Sequence, residues 1–358
     1  MIAFFMLSTV VIWGMFAATG LWLWVCFPAL GKFSPAGVWP LVGTGIVLAG
    51  LAFTRTHYNV FTSVLYYTSY ILFGLAFIAF CVTAGSAVLL GVCKMLHISA
   101  RTCLGITSVL VTVVLFGCAV WGGFSAPAIK RISLQIPGME PLKIALISDA
   151  HLGMGVSYGR WDNALARLES EKPDLVLVLG DVFEYGADAD KYAARLAAFQ
   201  TPLGTYGVLG NHEYYNNFAA AVDFYQKARI SLLQNEIATV GGMQVAGLKD
   251  IHTARVTPQE TVALLSSADA AKPLILLSHT PLYAEEAAAN GVKLMFSGHT
   301  HNGQIWPFNY LVKLQFPRVY GLFDVNGMKF YITSGMFYWG IPLRLFAPAE
   351  LPIIEVNR

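Results

Sequence analysis

The hydrophobic pattern of this chain changes character once. Up to about residue 129, apolar side chains fill whole stretches and leave no polar face. Ile2 to Gly31 precedes Lys32, Phe33 to Thr54 precedes Arg55, Asn59 to Cys93 precedes Lys94, and Thr102 to Ile129 precedes Lys130. A helix needs about 20 apolar residues to cross a bilayer core, so the pattern predicts four spans, over about 5–28, 38–55, 66–91 and 103–123. Beyond residue 130 the apolar runs shorten, and each closes on a polar or glycine-rich turn. Strands are predicted at Lys143–Ser148, Asp174–Leu179, Thr205–Leu209, Gln244–Leu248, Leu274–Ser278 and Lys293–Ser297. Helices are predicted between them, near 158–171, 188–199, 217–228, 258–267 and 282–289. Continuous β-branched and Leu runs are the mark of strands buried on both faces, and their alternation with helices gives an α/β domain. Two further strands, 319–325 and 328–334, flank Asn326-Gly327, a strong hairpin signal.

Two domains follow: an all-α transmembrane anchor over 1–129 and an α/β domain over 130–358, with Ser125–Pro137 as the linker. The first apolar run lacks the basic start of a signal peptide and is too long for one. The protein is therefore expected to be a multi-pass protein of the cell membrane.

Composition sharpens this division. The chain is 56% hydrophobic and 12% charged, too apolar for one ordinary soluble protein. Residues 1–129 carry Lys32, Arg55, Lys94 and Arg101 but no Asp or Glu, so all 21 acidic residues fall in the second part. With no carboxylate inside a span, an ion path or proton relay has nothing to run on. A net charge of +2 without a basic, aromatic-interleaved cluster argues against a nucleic-acid surface. All five cysteines (Cys26, Cys81, Cys93, Cys103, Cys118) lie in the apolar part, where they read as small fillers. Trp13, Trp22, Trp24, Trp39 and Trp121 read as interfacial anchors. Loops on one side of a four-span bundle hold Lys32, Lys94 and Arg101, and the other side holds Arg55, Lys130 and Arg131. This tie leaves the side of the α/β domain open.

The chemistry sits where the strands end. Asp149-Ala-His151 follows KIALIS, Gly180-Asp181-Val-Phe-Glu184 follows DLVLVL, and Gly210-Asn211-His212-Glu213 follows TYGVL. His279 follows LILLS, and Gly298-His299-Thr300-His301 follows KLMFS. Loops at the carboxyl ends of strands in an α/β sheet converge on one edge. Of the six histidines after residue 130, only His252 lies outside these turns. A lone histidine beside a strand is usually structural; five collected this way are not. Imidazole, carboxylate and amide oxygen without thiolate suit Mn, Fe, Zn or Co. The glycines at 180, 210 and 298 are expected to let the chain turn sharply between strand and ligand.

The order D-x-H, GDxxE, GNHE, H, GHTH resembles the calcineurin-like metallophosphoesterases. The wider stretches SDAHLG, VLGNHEYY, SGHTHNGQIWPF and YITSGMFYWGIPLR are similar to the bacterial membrane-anchored branch of that superfamily. The resemblance covers about 130–358 and implies a four-layer αββα sandwich. It implies two divalent metal ions: Asp149, His151 and His301 on the first, Asn211, His279 and His299 on the second, and Asp181 bridging them. It also implies hydrolysis of phosphate mono- or diesters by a metal-bridging hydroxide, with His212 as general acid oriented by Glu184. Two positions depart from the family pattern. Glu184 stands where many relatives have Asp, and Asn302 follows GHTH where Gly is common.

Weaker candidates surround this set. Asn302, Gln304 and Arg344 are candidates for substrate binding. Asp250 and His252 read as structural or solvent-facing, and Tyr214, Tyr215 and Trp306 as packing or rim residues. Glu213 reads as a structural or site-supporting carboxylate whose function is not readable. A membrane anchor favours a lipid-linked or envelope phosphoester as substrate. The rival reading is a catalytically silent membrane binding or sensory protein on the same fold, for which missing ligands would be the signature; none is missing.

Overall fold

The computed structural model describes residues 2–29, 38–53, 59–153, 155–184 and 188–357. They fall into two compact units, one of residues 1–124 with Gly340–Leu345, the other of Ser125–Trp339 with Phe346–Arg358.

The first unit holds α1 (Ile2–Cys26), α2 (Val38–Phe53), α3 (Val60–Met95) and α4 (Arg101–Phe124). Among the described residues, α1, α3 and α4 are long and apolar enough to cross a membrane. With 16 residues, α2 rises about 24 Å, less than the roughly 30 Å hydrocarbon core. Most of each long helix's apolar window faces outward. α3 starts on a reciprocal cap: Asn59 Oδ1 accepts from Thr62 N, and Thr62 Oγ1 accepts from Asn59 N, both at 3.0 Å. Trp22, expected as an interfacial anchor, is instead 6% exposed and donates its indole N–H to Ser108 Oγ at 2.8 Å. It ties α1 to α4, because a buried indole nitrogen needs an acceptor. Gly340–Leu345 packs among these helices. Tyr66 donates its hydroxyl to Gly340 O at 2.6 Å, and Arg344 N donates to Ala119 O at 2.9 Å.

The second unit opens with β1 (Ala128–Gln135), β2 (Leu142–Ile147), α5 (Tyr158–Ser170), β3 (Leu175–Val178), α6 (Ala189–Ala197) and β4 (Thr205–Gly207). It continues through α7 (Asn211–Asn216), α8 (Phe218–Lys227), β5 (Ser231–Leu232), β6 (Glu236–Val240), β7 (Met243–Gly247), α9 (Pro258–Ser266) and β8 (Leu274–Leu277). α10 (Ala284–Ala289), β9 (Val292–Ser297), α11 (Phe308–Gln315), β10 (Gly321–Val325), β11 (Met328–Ile332) and β12 (Glu350–Asn357) complete it. One six-stranded sheet has the order β1-β12-β2-β3-β4-β5, the other β10-β11-β9-β8-β7-β6. β2, β3, β4 and β5 run parallel, as do β7, β8, β9 and β11.

Alternation along the strands assigns the cores. In β2, Ile144 and Leu146 join Leu175, Leu177, Ile275, Leu277, Leu294 and Phe296 in a cluster shared by both sheets. Ala145 and Ile147 point the other way, toward Trp161, Leu165 and Leu168 of α5 and Phe224 of α8. In the second sheet, Leu276, Met295 and Phe330 meet Leu265 of α9 and Ala287 of α10. LVLV and LILL are thus buried on both faces, which is why they read as unbroken apolar runs.

The expected linker Ser125–Pro137 contains β1, an edge strand paired in parallel with β12 over Ala128–Gln135. Its exposed Arg131, paired with Glu171, is the kind of charge that keeps an edge from pairing with other chains, while Lys130 turns inward to Tyr320 and Glu350. The predicted hairpin folds with Gly321–Val325 antiparallel to Met328–Ile332.

Candidate metal centre

Five strand ends deliver the chemistry: β2, β3 and β4 from one sheet, β8 and β9 from the other. The loops after β2 and β3 are zipped by backbone bonds, with Asp149 N donating to Gly180 O, His151 N to Asp181 O and Leu152 N to Val182 O. The two sheets are then stitched across the site. His299 N donates to Asp149 Oδ1 at 3.0 Å, and His279 Nδ1 lies 2.7 Å from Leu179 O. That carbonyl can only accept, so it fixes the proton on Nδ1 of His279 and leaves Nε2 free as a ligand atom.

Three groups of donor atoms each lie within 4.8 Å of one another: Asp149, His151 and His301; His151, Asp181 and His212; Asp181, His279 and His299. His151 Nε2 is 3.0 Å from His301 Nε2, and His301 Nε2 is 3.3 Å from Asp149 Oδ1. His279 Nε2 is 3.1 Å from Asp181 Oδ2 and 3.2 Å from His299 Nδ1. Asp181 Oδ2 also lies 3.9 Å from His151 Nε2, so this carboxylate stands between the two sets. Asn211 Oδ1 is buried and, among the described residues, accepts no hydrogen bond. A buried amide oxygen without a donor is costly, and a cation removes that cost. The residues fit a metal site: acceptor nitrogens and oxygens face one another with too few protons between them.

Room for this convergence comes from the backbone. Of the three glycines expected at sharp turns, only Gly180 has a positive φ, at 91°. Gly298 and Gly210 serve by lacking a side chain. A Cβ on Gly298 would sit 2.3 Å from Asp149 Oδ2, and one on Gly210 would sit 2.2 Å from Asp181 Oδ1. The bending is done by the functional residues themselves. Asp149, His151, Asp181, His299 and His301 have φ of 52°, 43°, 52°, 71° and 48°. Left-handed backbone at non-glycine positions costs of order 1 kcal/mol or more each and concentrates at functional sites. Asn302, at φ 51°, explains the departure from glycine: Asn is among the side chains that tolerate this region best.

Electrostatics draw positive charge into the site. Burial raises the Asp181 carboxyl, but the His279 and His212 imidazoles outweigh it and hold the group well below the ordinary range. Burial likewise raises Glu184, and the His151 hydrogen bond with the close His212 imidazole brings it down to about 2. His279 and His212 are lowered by burial yet lifted by Asp181, to about 10 and about 9. Burial and the neighbouring His279 push His299 down to about 4. Divalent cations would answer the same demand from these carboxylates.

Glu184 does more than the sequence suggested. Its Oε1 is 2.8 Å from His151 Nδ1 and 2.6 Å from His212 Nδ1, the second approach lacking a good hydrogen-bond angle. One oxygen therefore orients two histidines, and the longer Glu arm makes that reach. Glu213, expected as a structural or supporting carboxylate, is fully buried and accepts from four backbone amides, Asp181, Val182, Phe183 and Gly210, at 2.7–3.0 Å. It locks the β3 and β4 loops together. The only sequence signal was an acidic residue three positions after a glycine at a helix start.

The remaining candidates divide. Gln304 is fixed by two bonds to Trp339, Nε2 to O at 3.1 Å and N to Oε1 at 2.9 Å. Trp339 in turn lies against His212, rings 5.4 Å apart. Asn302 stands half-buried beside His301. Arg344 is buried, and it belongs with Gly340–Leu345 to the helical unit. Asp250 is buried, accepting from Thr280 Oγ1 and Thr253 N. His252 is closer to the chemistry than expected, its ring 6.3 Å from that of His299. Tyr215 is exposed at the rim, 6.1 Å from His212.

Comparison with known proteins agrees with the geometry. The family model for calcineurin-like phosphoesterases matches residues 142–303. An uncharacterized metallophosphoesterase of Campylobacter jejuni is 31% identical over 270 residues, 74% of this chain and 72% of its own length. A transmembrane protein with metallophosphoesterase domain from Bos taurus is 34% identical over 68% of this chain, and the match spans 60% of the bovine protein. A dimetal phosphatase from Danio rerio shares 14% identity, with a TM-score of 0.35 over 57% of this chain and 89% of its own. With the strand-end motifs, the clustered donors and relatives that match most of its length, the chain belongs to the calcineurin-like metallophosphoesterases, on a mixed α/β domain carried by membrane-associating apolar helices.

Proposed function

We propose that the chain is a dinuclear-metal phosphoesterase that cleaves phosphate mono- or diesters at a membrane, with lipid-linked or envelope esters as its substrate class. In this reading residues 1–129 are a multi-pass anchor in the cell membrane, α2 being its fourth span, and 130–358 form an αββα sandwich. The core shared by both sheets and the two helix-facing clusters support that layering. One observation carries the function: six side chains, Asp149, His151, Asp181, His279, His299 and His301, meet at one edge with Asp181 between two donor sets, while Asn211, on the adjoining β4 loop, keeps a buried amide oxygen without a donor among the described residues.

Asp149, His151 and His301 would hold one divalent cation and Asn211, His279 and His299 the other, with Asp181 shared. When bound, such ions supply Lewis acidity toward phosphoryl oxygens and acidify water. The chain's own residues do the rest. Ser148 Oγ and His299 N both donate to Asp149 and hold its carboxylate in place. His212 N donates to Asp181 Oδ1 at 2.9 Å, which fixes the histidine relative to the shared carboxylate. Glu184 faces His212 Nδ1, leaving Nε2 to give a proton to the departing oxygen.

The test is a hydrolysis screen of metal-reconstituted full-length protein across nucleotide, phospholipid and lipid-linked sugar phosphates. Turnover of lipid-borne esters is the expected result. Activity on soluble nucleotides alone would remove the lipid class, and metal loading without turnover of any ester would favour the silent binding protein. His212→Ala should slow turnover by about 10²–10⁴-fold while metal content stays at the wild-type value. Loss of a metal instead would make His212 a ligand, as its place in the His151–Asp181 group allows.

A further inference from the structure

The chain that leaves the site after His301 builds a surface the hydrolytic chemistry does not use. α11 follows within a few residues, and it is amphipathic the wrong way round for a soluble domain. None of its residues is buried. At about 100° per residue, Phe308, Leu311 and Leu314 share one side of the helix, and they are 44%, 56% and 84% exposed. Asn309 lies on the opposite side, against Gly303: a Cβ there would come within 2.3 Å of Asn309 N. The polar residue thus faces the protein and the apolar arc faces out. Trp306 and Phe346 extend the arc, rings 6.1 Å apart, at 40% and 69% exposure. Trp339, 52% exposed, is held by Gln304 and lies against His212.

We infer that α11, with Trp306, Phe346 and Trp339, docks in the headgroup layer of an anionic bilayer and delivers a lipid-borne phosphoester to the His212 side of the site. Scattered single apolar residues on a surface need no explanation, but exposed leucines and aromatics gathered along one helix face and beside the candidate site do. Three observations select a bilayer as its occupant. The same chain carries apolar helices long enough to cross a membrane. The chain also leaves the α/β unit for the helical unit after Trp339 and returns to it at Phe346, so two members of the arc border that passage. The composition is interfacial: from His301 through Phe323 there is no Asp or Glu, while Trp306, Tyr310, Lys313 and Tyr320 supply the aromatic and basic groups that sit at headgroup depth. Arg318 is paired with Glu285, and Lys313, exposed on α11, flanks the arc with its ammonium 5.7 Å from the Tyr310 ring centre. Delivery of a phosphoester rests on the hydrolase reading above; docking does not.

The decisive experiment replaces Leu314 with a solvatochromic fluorescent amino acid in the full-length protein, in nanodiscs of phosphatidylcholine doped with phosphatidylglycerol. Blue-shifted emission, quenched by brominated acyl chains, is expected. Water-like, unquenched emission would overturn the inference, as would a blue shift that tracks dimer formation by light scattering and so marks a second copy. Kinetics supply the second arm. In Leu311→Ser with Leu314→Ser, KM for a bilayer-borne phosphoester should rise about tenfold, the equivalent of losing part of two buried leucines. Both kcat and turnover of soluble p-nitrophenyl phosphate should hold. Equal loss on both substrates would contradict the inference. Quenching with no turnover of any ester would leave docking standing and remove the hydrolase reading, so the two fail separately.

Discussion

Asp181→Asn should abolish turnover, by at least about 10³-fold, and lower metal content below that of the wild type. In the proposed dinuclear site, metal-borne stabilisation of several kcal/mol would depend on this one carboxylate, and about 4 kcal/mol corresponds to that factor. Asp181 is 3% exposed and stands between the donor sets, 3.1 Å from His279 Nε2 and 3.9 Å from His151 Nε2. Asparagine keeps the shape and can keep the acceptor for His212 N. It removes the negative charge and turns an N–H₂ toward acceptor nitrogens, so the loss falls on the metals while the fold persists. Elemental analysis beside a hydrolysis assay checks both parts. Undiminished metal in the variant would remove Asp181 from its shared position.

Glu213→Ala should lower the unfolding midpoint of the α/β domain by on the order of 10 °C. The substitution leaves four buried amides, Asp181, Val182, Phe183 and Gly210, without their acceptor. Each buried, unsatisfied N–H costs about 1–3 kcal/mol. After partial relaxation some 4 kcal/mol remains, at about 2–4 °C per kcal/mol for a domain of this size. Burial, with Asp181 nearby, pushes the Glu213 carboxyl up to about 7, so the carboxylate is held by those amides against its own desolvation. Glu213→Gln is the informative companion. One oxygen survives, but the new N–H₂ confronts two donors, and about half the loss is expected. Calorimetry of both variants reads the ratio. A shift under about 2 °C in the alanine variant would show that the amides find other partners.

Much of the domain was legible because its signals are local. LVLV and LILL read as strands since both faces of each are buried, and the ligand residues read as a set because each directly follows such a run. What escaped was non-local. β12 carries Pro352 at a position paired with Lys130, and proline in an inner strand argues against the assignment. β1 looked like a linker because only Leu134 of its eight residues is fully buried. Trp22 resembled every other tryptophan of the helices until Ser108, 86 residues away, proved to be its acceptor. The left-handed backbone at Asp149, His151, Asp181, His299 and His301 has no sequence signature, since those residue types serve for their ligand atoms and bear the strain imposed by the site. Glu213 read as a structural carboxylate, but what it holds was hidden for the opposite reason: its partners are main-chain amides, which every sequence contains. The reverse amphipathicity of α11 was equally hidden, because an apolar arc does not announce which side the protein lies on.

Anomalous diffraction from crystals of the full-length protein grown with manganese bears most directly on the central claim. The account predicts two peaks flanking the Asp181 carboxylate, one among Asp149, His151 and His301 and the other among Asn211, His279 and His299. A single peak, or two that share no contact with Asp181, would contradict it.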